Sequence, residues 1–176
     1  ICKLSKQGVR VRILTNSLAS NDVAAVHTGY MRHRKQLLRC GVELYELNEQ
    51  LKKVEGKLFT WLPGLSKSSL HAKTMAMDKN TMFVGSFNFD QRSLNINTEI
   101  GILFRDPEIA SNSSKNFNKH IDKVAFRVEL VDNSQMKWTG LDEGGKQVVF
   151  DVEPYTSFWK RLGANLMRIL PIDSML

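Results

Sequence analysis

The stretch from Val9 to Leu47 constrains the fold more than any other. Val9-Arg10-Val11-Arg12-Ile13-Leu14-Thr15 is β-branched and partly alternating, which predicts a strand entering the core at its C-terminal end. Asn21 or Asp22 can cap a following helix, and from Val23 to about Cys40 the apolar positions Val23, Val26, Tyr30, Met31, Leu37 and Leu38 fall roughly on one stripe. Gly41 ends that helix, and Val42 to Leu47 reads as a second strand. A strand, a helix and a strand in succession lay their two strands parallel, so an α/β fold with a mixed, largely parallel sheet flanked by helices is expected.

The rest of the chain adds shorter elements. Residues 49 to 68 mix Lys and Glu with Gly56, Pro63, Gly64 and serines, an irregular connection with room for a short helix. Leu70 to Met77 alternates, with His71, Lys73, Met75 and Met77 on one face and Leu70, Ala72, Thr74 and Ala76 on the other. Asp78-Lys79-Asn80 is turn chemistry, Thr81 to Val84 the returning strand, and Gly85-Ser86-Phe87-Asn88 a loop. A short turn near Arg92 to Asn95 precedes a strand from Thr98 to Phe104, with Glu99, Gly101 and Leu103 on one face. Pro107 sits where a helix can begin, with Ile109, Phe117, Ile121 and Val124 as its inward stripe. The tail predicts a strand from Phe126 to Val131, a hairpin pivoting on Gly144-Gly145 into Val148 to Val152, and a helix from about Pro154 to Leu170 stopped by Pro171.

With 176 residues and 42% hydrophobic side chains, the chain has the size of one compact domain, so residues 1–176 are expected to form a single unit. No apolar run is long enough to span a bilayer. Cys2 and Cys40 make at most one bridge and match no metal spacing, so a reducing compartment is the default. The net charge is +7 and its excess is N-terminal: residues 1 to 60 hold 11 Lys/Arg against 5 Asp/Glu. Much of that excess lies in Arg32-His33-Arg34-Lys35 and Arg39, which read first as a solvated helix face; charge alone leaves nucleic acid and an anionic membrane surface open as partners. Trp61, Trp138 and Trp159 read most simply as core or interface aromatics. An amphipathic final helix, with Phe158, Trp159, Leu162, Leu166 and Met167 opposite Lys160, Arg161 and Arg168, is also suited to lying on a membrane.

The chemistry concentrates between residues 71 and 99. Strand geometry puts His71 and Lys73 on one face, so an imidazole and an ammonium reach one pocket. That pair suits a phosphate: Lys73 neutralises non-bridging oxygens, Ser86 and Asn88 add hydrogen bonds, and His71 serves as nucleophile or proton donor. Glu99, on a neighbouring strand, is placed to hold the histidine in one tautomer. Asp78 sits at the turn, where a stabilising role outside the phosphate pocket is at least as fitting as a catalytic one.

The pattern H-x-K-x4-D-x6-G-S-x-N, carried by His71, Lys73, Asp78, Gly85, Ser86 and Asn88, resembles the HKD motif of the phospholipase D superfamily, and Glu99 falls where that family carries a further acidic residue. Thr15-Asn16-Ser17 with His27-Thr28-Gly29-Tyr30, and Phe89-Asp90-Gln91-Arg92-Ser93 leading to Asn97-Thr98-Glu99, resemble the second half of bacterial cardiolipin-synthase-like members. The tail, with Trp138, Pro154, Phe158-Trp159 and Leu170-Pro171, is similar to the C-terminal end of the cardiolipin synthase C subgroup.

The resemblance implies a site assembled from two HKD motifs, one histidine forming a phosphohistidine and the other protonating the departing alcohol, with no metal and no cofactor. This chain has one motif, since neither His27, His33 nor His120 is followed two residues on by Lys. The missing half is expected upstream in a longer parent protein, or in a homodimer mate as in the single-motif nucleases of the family. In two-motif relatives the first histidine is usually the nucleophile, which would make His71 the general acid. The implied activity is phosphatidyl transfer to phosphatidylglycerol or to water, in a cytoplasmic protein peripheral to the bacterial inner membrane. The alternatives are a nuclease or other phosphodiesterase acting on nucleic acid, and an inactive phosphate-binding half.

Overall fold

A computed structural model of the chain describes residues 1–21, 24–50, 73–88, 93, 95–132 and 134–169. It opens with a short helix α1 (Cys2–Lys6), then strand β1 (Arg12–Thr15), helix α2 (Ala24–Arg39) and strand β2 (Glu43–Leu47). β1 and β2 are parallel, from Arg12 opposite Glu43 to Thr15 opposite Glu46, as the strand-helix-strand pattern predicts. Gly41 ends α2 at φ +84°, and the Val42 amide reaches back to the Leu37 carbonyl at 3.1 Å, a closure that a residue with a Cβ makes only under strain. Sequence alone leaves Cys2 and Cys40 reduced by default; the structure joins them in a disulfide that ties α1 to the end of α2.

Three strands follow, β3 (Lys73–Met77), β4 (Thr81–Gly85) and β5 (Gly101–Arg105), then helix α3 (Pro107–Val124), strands β6 (Ala125–Val131), β7 (Gln135–Leu141) and β8 (Gln147–Phe150), and helix α4 (Phe158–Ile169). The strands form two sheets, one ordered β1-β2-β6-β7-β8 and one β3-β4-β5, with α3 packed on strands of both. Strand orientation is mixed rather than largely parallel: among the described residues β1 and β2 run together, and the other pairings are antiparallel. For the pairs that follow one another directly, connection length is the reason: a parallel pair needs a crossover, which α2 supplies, whereas the turns of a few residues at 78–80 and 142–146 permit only antiparallel return. The strand β7 and its turn from β6 were not expected from the sequence.

Asp106 caps α3 by accepting the Ile109 amide at 2.9 Å, and Pro107 stands where its missing N–H costs nothing. Ala110, Ile121 and Val124 are buried along this helix, while Ile109, expected on the inward stripe, is 49% exposed. Eight residues back from Phe117 lies about 80° off its stripe, and seven residues back, at Ala110, only about 20° off.

The core lies around β2, whose residues from Leu44 to Leu47 are buried on both faces, with Phe126, Val128 and Trp138 beside it. Glu46 is part of that run and is fully buried. It is paired with Arg34, whose Nε lies 3.3 Å from Glu46 Oε1 and whose Nη2 donates to Glu153 Oε1 at 2.7 Å. Tyr30 Oη donates to Glu46 Oε1 at 3.1 Å and Trp138 Nε1 to Oε2 at 2.9 Å. Arg34 is therefore no part of a solvated face: it is 0% exposed, because its partners arrive from β2 and from the segment before α4.

His27 completes the cluster, its Nε2 lying 3.2 Å from Arg34 Nη2. A guanidinium donates only, so Nε2 accepts and the ring is neutral. Burial first, then the Arg34 charge, pushes His27 down to about 3, and burial pushes Glu46 up to about 7. Unfolding returns His27 to 6.5, so between about pH 3 and 6.5 the unfolded chain binds a proton that the folded chain refuses, and stability falls as pH drops through that window. Glu46 acts oppositely from about 4.5 to 7, where the folded chain holds the extra proton and stability falls as pH rises. The two slopes offset each other between about 4.5 and 6.5, which leaves the limb below 4.5 to His27. His27→Gln should therefore flatten the acid limb in urea unfolding measured from pH 3 to 6.5; an unchanged slope would show that another group sets it.

Candidate active site

The β3-β4-β5 sheet carries the candidate site on one edge of one face. Residues directly opposite share a face, so the row Lys73, Gly85, Gly101 and the next row Met75, Phe83, Leu103 lie side by side. The two glycines have a steric reason. A Cβ at Gly85 would stand 2.6 Å from the Ile100 carbonyl oxygen and 2.8 Å from Phe83 Cζ, and one at Gly101 would overlap the Phe83 ring. The aromatic ring thus folds back over two bare backbone positions beside Lys73.

Beyond Gly85 the chain is clamped to the start of β5. The Ser86 amide donates to the Ile100 carbonyl at 2.9 Å, and the Ile100 amide donates to Ser86 Oγ at 3.1 Å. Ser86 Oγ in turn donates to Glu99 Oε2 at 2.5 Å, and Asn97 Nδ2 donates to Glu99 Oε1 at 3.4 Å. The hydrogen bond from Ser86, then one from Ser93, then that from Asn97 and the Lys73 charge hold the Glu99 carboxyl below the ordinary carboxylate range. Glu99 is thus an anion with its acceptor capacity partly used and Lys73 close enough to be felt.

Of the expected site residues, Lys73, Ser86 and Glu99 come together at this end of the sheet. Asn88 is exposed in the loop two residues past Ser86. Asp78 is exposed at φ +51° in the turn joining β3 to β4, at the opposite end of the strand from Lys73 and about 16 Å along it. His71, the partner required on the Lys73 face, lies outside the described residues. Asn97 and Ser93 were not singled out as site residues, although a short polar cluster just ahead of an acidic strand start was the signal for them.

The geometry supports stabilising an anionic non-bridging oxygen next to Lys73, beside a carboxylate already held in place by the Ser86 hydroxyl. A metal has a poorer case. His27, Glu46 and Glu153 offer ligand atoms within 4.8 Å of one another, but they belong to the buried cluster, where the Arg34 guanidinium already supplies the cation.

Comparison with known proteins points the same way as the motif. The family described as cardiolipin synthase, PLD-like domain matches residues 1–121. The chain is 42% identical over 176 residues to cardiolipin synthase C of Escherichia coli strain K12, covering 100% of this chain and 37% of that protein. It is 34% identical over 171 residues to an uncharacterized protein of Helicobacter pylori strain 26695, covering 94% of this chain and 32% of that one. Against cardiolipin synthase A of Buchnera aphidicola subsp. Schizaphis graminum, identity is 26% over 136 residues, 77% of this chain and 22% of the relative. The chain thus spans about a third of the length of the first two of these relatives. No solved structure matches it.

Proposed function

Because this chain belongs to the cardiolipin synthase, PLD-like domain family, we propose that it is one half of a phosphatidyltransferase site of the cardiolipin-synthase type. Residues 1–176 would form a single phospholipase D-like unit that supplies one HKD motif, and the second would come from the rest of a longer chain or from another copy. The observation that carries the proposal is the Ser86 to Glu99 hydrogen bond beside Lys73, in register with His-x-Lys upstream and Asn88 downstream.

In this reading one imidazole attacks the phosphorus of a phospholipid, and the bond to the departing alcohol breaks as the other imidazole donates its proton. A hydroxyl of phosphatidylglycerol, deprotonated by that second imidazole, then attacks the phosphohistidine, and the nitrogen–phosphorus bond breaks. Lys73 and Asn88 stabilise the charge that gathers on the non-bridging oxygens, Ser86 holds Glu99 in place through its hydroxyl, and Glu99 orients the catalytic histidine through its remaining acceptor capacity. Asp78 holds the hairpin. The substrate calls for a peripheral position on the bacterial inner membrane, and among the described residues no helix is long and apolar enough to cross a membrane.

The test incubates the intact two-motif protein, and this chain alone over a range of concentrations, with vesicles of labelled phosphatidylglycerol and, separately, with DNA in EDTA. Cardiolipin with release of glycerol is the expected result, its rate rising with the square of concentration where two copies assemble the site. DNA strand cleavage without lipid turnover would replace this reading with the nuclease one.

A further inference from the structure

The Cys2–Cys40 bridge joins a loosely held end of the molecule to a fixed one. Cys40 is fixed without it: its amide donates to the Gln36 and Leu37 carbonyls at 3.0 and 3.1 Å, and with Leu37 and Leu38 it packs on the core around Leu44 and Phe126. Cys2 stands on α1, a helix of five residues none of whose side chains is buried, with Leu4 50% exposed. The backbone bonds from Ser5 to Ile1, Gln7 to Lys3, Gly8 to Ser5 and Val9 to Leu4 all stay within residues 1–9. Toward the rest of the molecule α1 presents its sulfur and Ser5, whose Oγ lies 3.5 Å from where a Cβ of Gly41 would stand. A helix this short does not sustain itself in water, so the bridge is what keeps α1 wound and in place.

From Arg10 onward the chain has other anchors. Arg10 forks onto the Glu43 carboxylate at 2.6 and 3.0 Å, the Glu43 amide donates to the Val11 carbonyl at 3.0 Å, and β1 pairs with β2 from Arg12. Gly8, at φ +90°, stands between the two regimes as a pivot. Opening the bridge therefore has a boundary just before Arg10. The bridge is also within reach of a reagent: both cysteines are half-buried, and neither α1 nor α2 contains an Asp or a Glu to repel an anionic thiol such as glutathione.

We propose that Cys2 and Cys40 form a reversible redox site: as a disulfide they clip α1 to the end of α2, and as thiols they release residues 1–9 while the domain from Arg10 onward stays folded. In reduction a thiolate attacks one sulfur, and the sulfur–sulfur bond breaks with its electron pair on the other. A second thiol then resolves the mixed disulfide, so that two electrons and two protons end on the cysteines and the reductant departs as a disulfide. Closure is the same exchange run backward from a low-molecular-weight disulfide. A reducing compartment thus holds the clip open and an oxidising one holds it shut. The rival is a purely structural bridge, shielded from reagents, whose loss would unfold β1 and α2 together.

The inference does not depend on the phospholipid reading and is tested without turnover. The chain is equilibrated without denaturant in glutathione buffers from oxidised to reduced, alkylated and weighed. No alkyl group is expected at the oxidised end and two at the reduced end, the change reversing when the buffer is exchanged. On reduction the amide resonances of residues 2–9 should move to random-coil positions while those of β1, α2 up to Leu37, and β2 keep theirs, and trypsin should cut after Lys3 and Lys6 about tenfold faster. Cys2→Ser combined with Cys40→Ser should show the reduced pattern in every buffer; the reduced chain is the deciding sample, so a poorly folding variant leaves the test intact. Free thiols in the oxidised buffer, reduction only after denaturant, resonances of residues 2–9 unmoved by reduction, or collapse of β1 and α2 along with them would each overturn the proposal.

Discussion

Lys73→Ala should lower phosphodiester turnover by about 100- to 1000-fold while leaving the fold as stable as before. The rate loss follows from what the ammonium does: it faces the row of Gly85 and Gly101, bears on Glu99, and is placed for the oxygens that gain charge as phosphorus is attacked. One preorganised donor lost from such a site typically costs that factor. The fold is spared because β3 is held to β4 by backbone bonds that do not involve the side chain, and Lys73 is only half-buried. The loss should fall on kcat more than on KM, since the charge that Lys73 meets is greatest in the transition state. Lys73→Arg should recover only part of the rate, as a planar fork does not reproduce a compact ammonium. Initial rates on labelled phosphatidylglycerol decide the matter, and a variant within threefold of the original rate would remove Lys73 from the site.

The parts of this molecule that local chemistry specifies were legible in the sequence. The stop of α2 at Gly41, the turn at Asp78-Lys79-Asn80 with two residues at positive φ, and the start of α3 at Asp106-Pro107 each need only neighbouring residues. The Gly-Ser step was legible for a similar reason, because its partner Glu99 stands only 13 residues away, just ahead of the adjacent strand β5. What eluded the sequence depends on distant partners. Arg34 sits among four other basic or histidine positions and reads as solvated, yet it is buried by Glu46 and by Glu153, the latter 119 residues on. One signal was present: an acidic residue at position 46 inside an otherwise apolar strand requires a buried cation somewhere. The orientation of α4, whose Ala164 is buried while Trp159 is 75% exposed, was equally hidden, because hydrophobic spacing defines an apolar arc without saying what covers it.

Arg34→Met should destabilise the chain by about 3–5 kcal/mol, the usual cost of leaving buried carboxylates without their cation. Two carboxylates lose their counterion at once, since Glu46 and Glu153 both bond the same guanidinium, and His27 loses the donor that faces its Nε2. The pH dependence separates this cause from lost packing. Without Arg34, whose charge holds the Glu46 carboxyl down against the effect of burial, Glu46 is pushed further up and takes a proton in the folded state, so the deficit should be larger at pH 8 than at pH 5.5; a packing defect would be the same at both. Adding Glu46→Gln and Glu153→Gln to the variant should restore more than half of the loss, because the amide at position 46 can accept from Trp138 Nε1 through its oxygen and donate to Tyr30 Oη through its nitrogen while leaving no buried charge. Urea unfolding of the three proteins at the two pH values is the measurement. A single variant within about 1 kcal/mol of the original at pH 8 would mean that the cluster is wet or already protonated, and that the junction between β2, α2 and the segment leading into α4 is held by its apolar contacts alone.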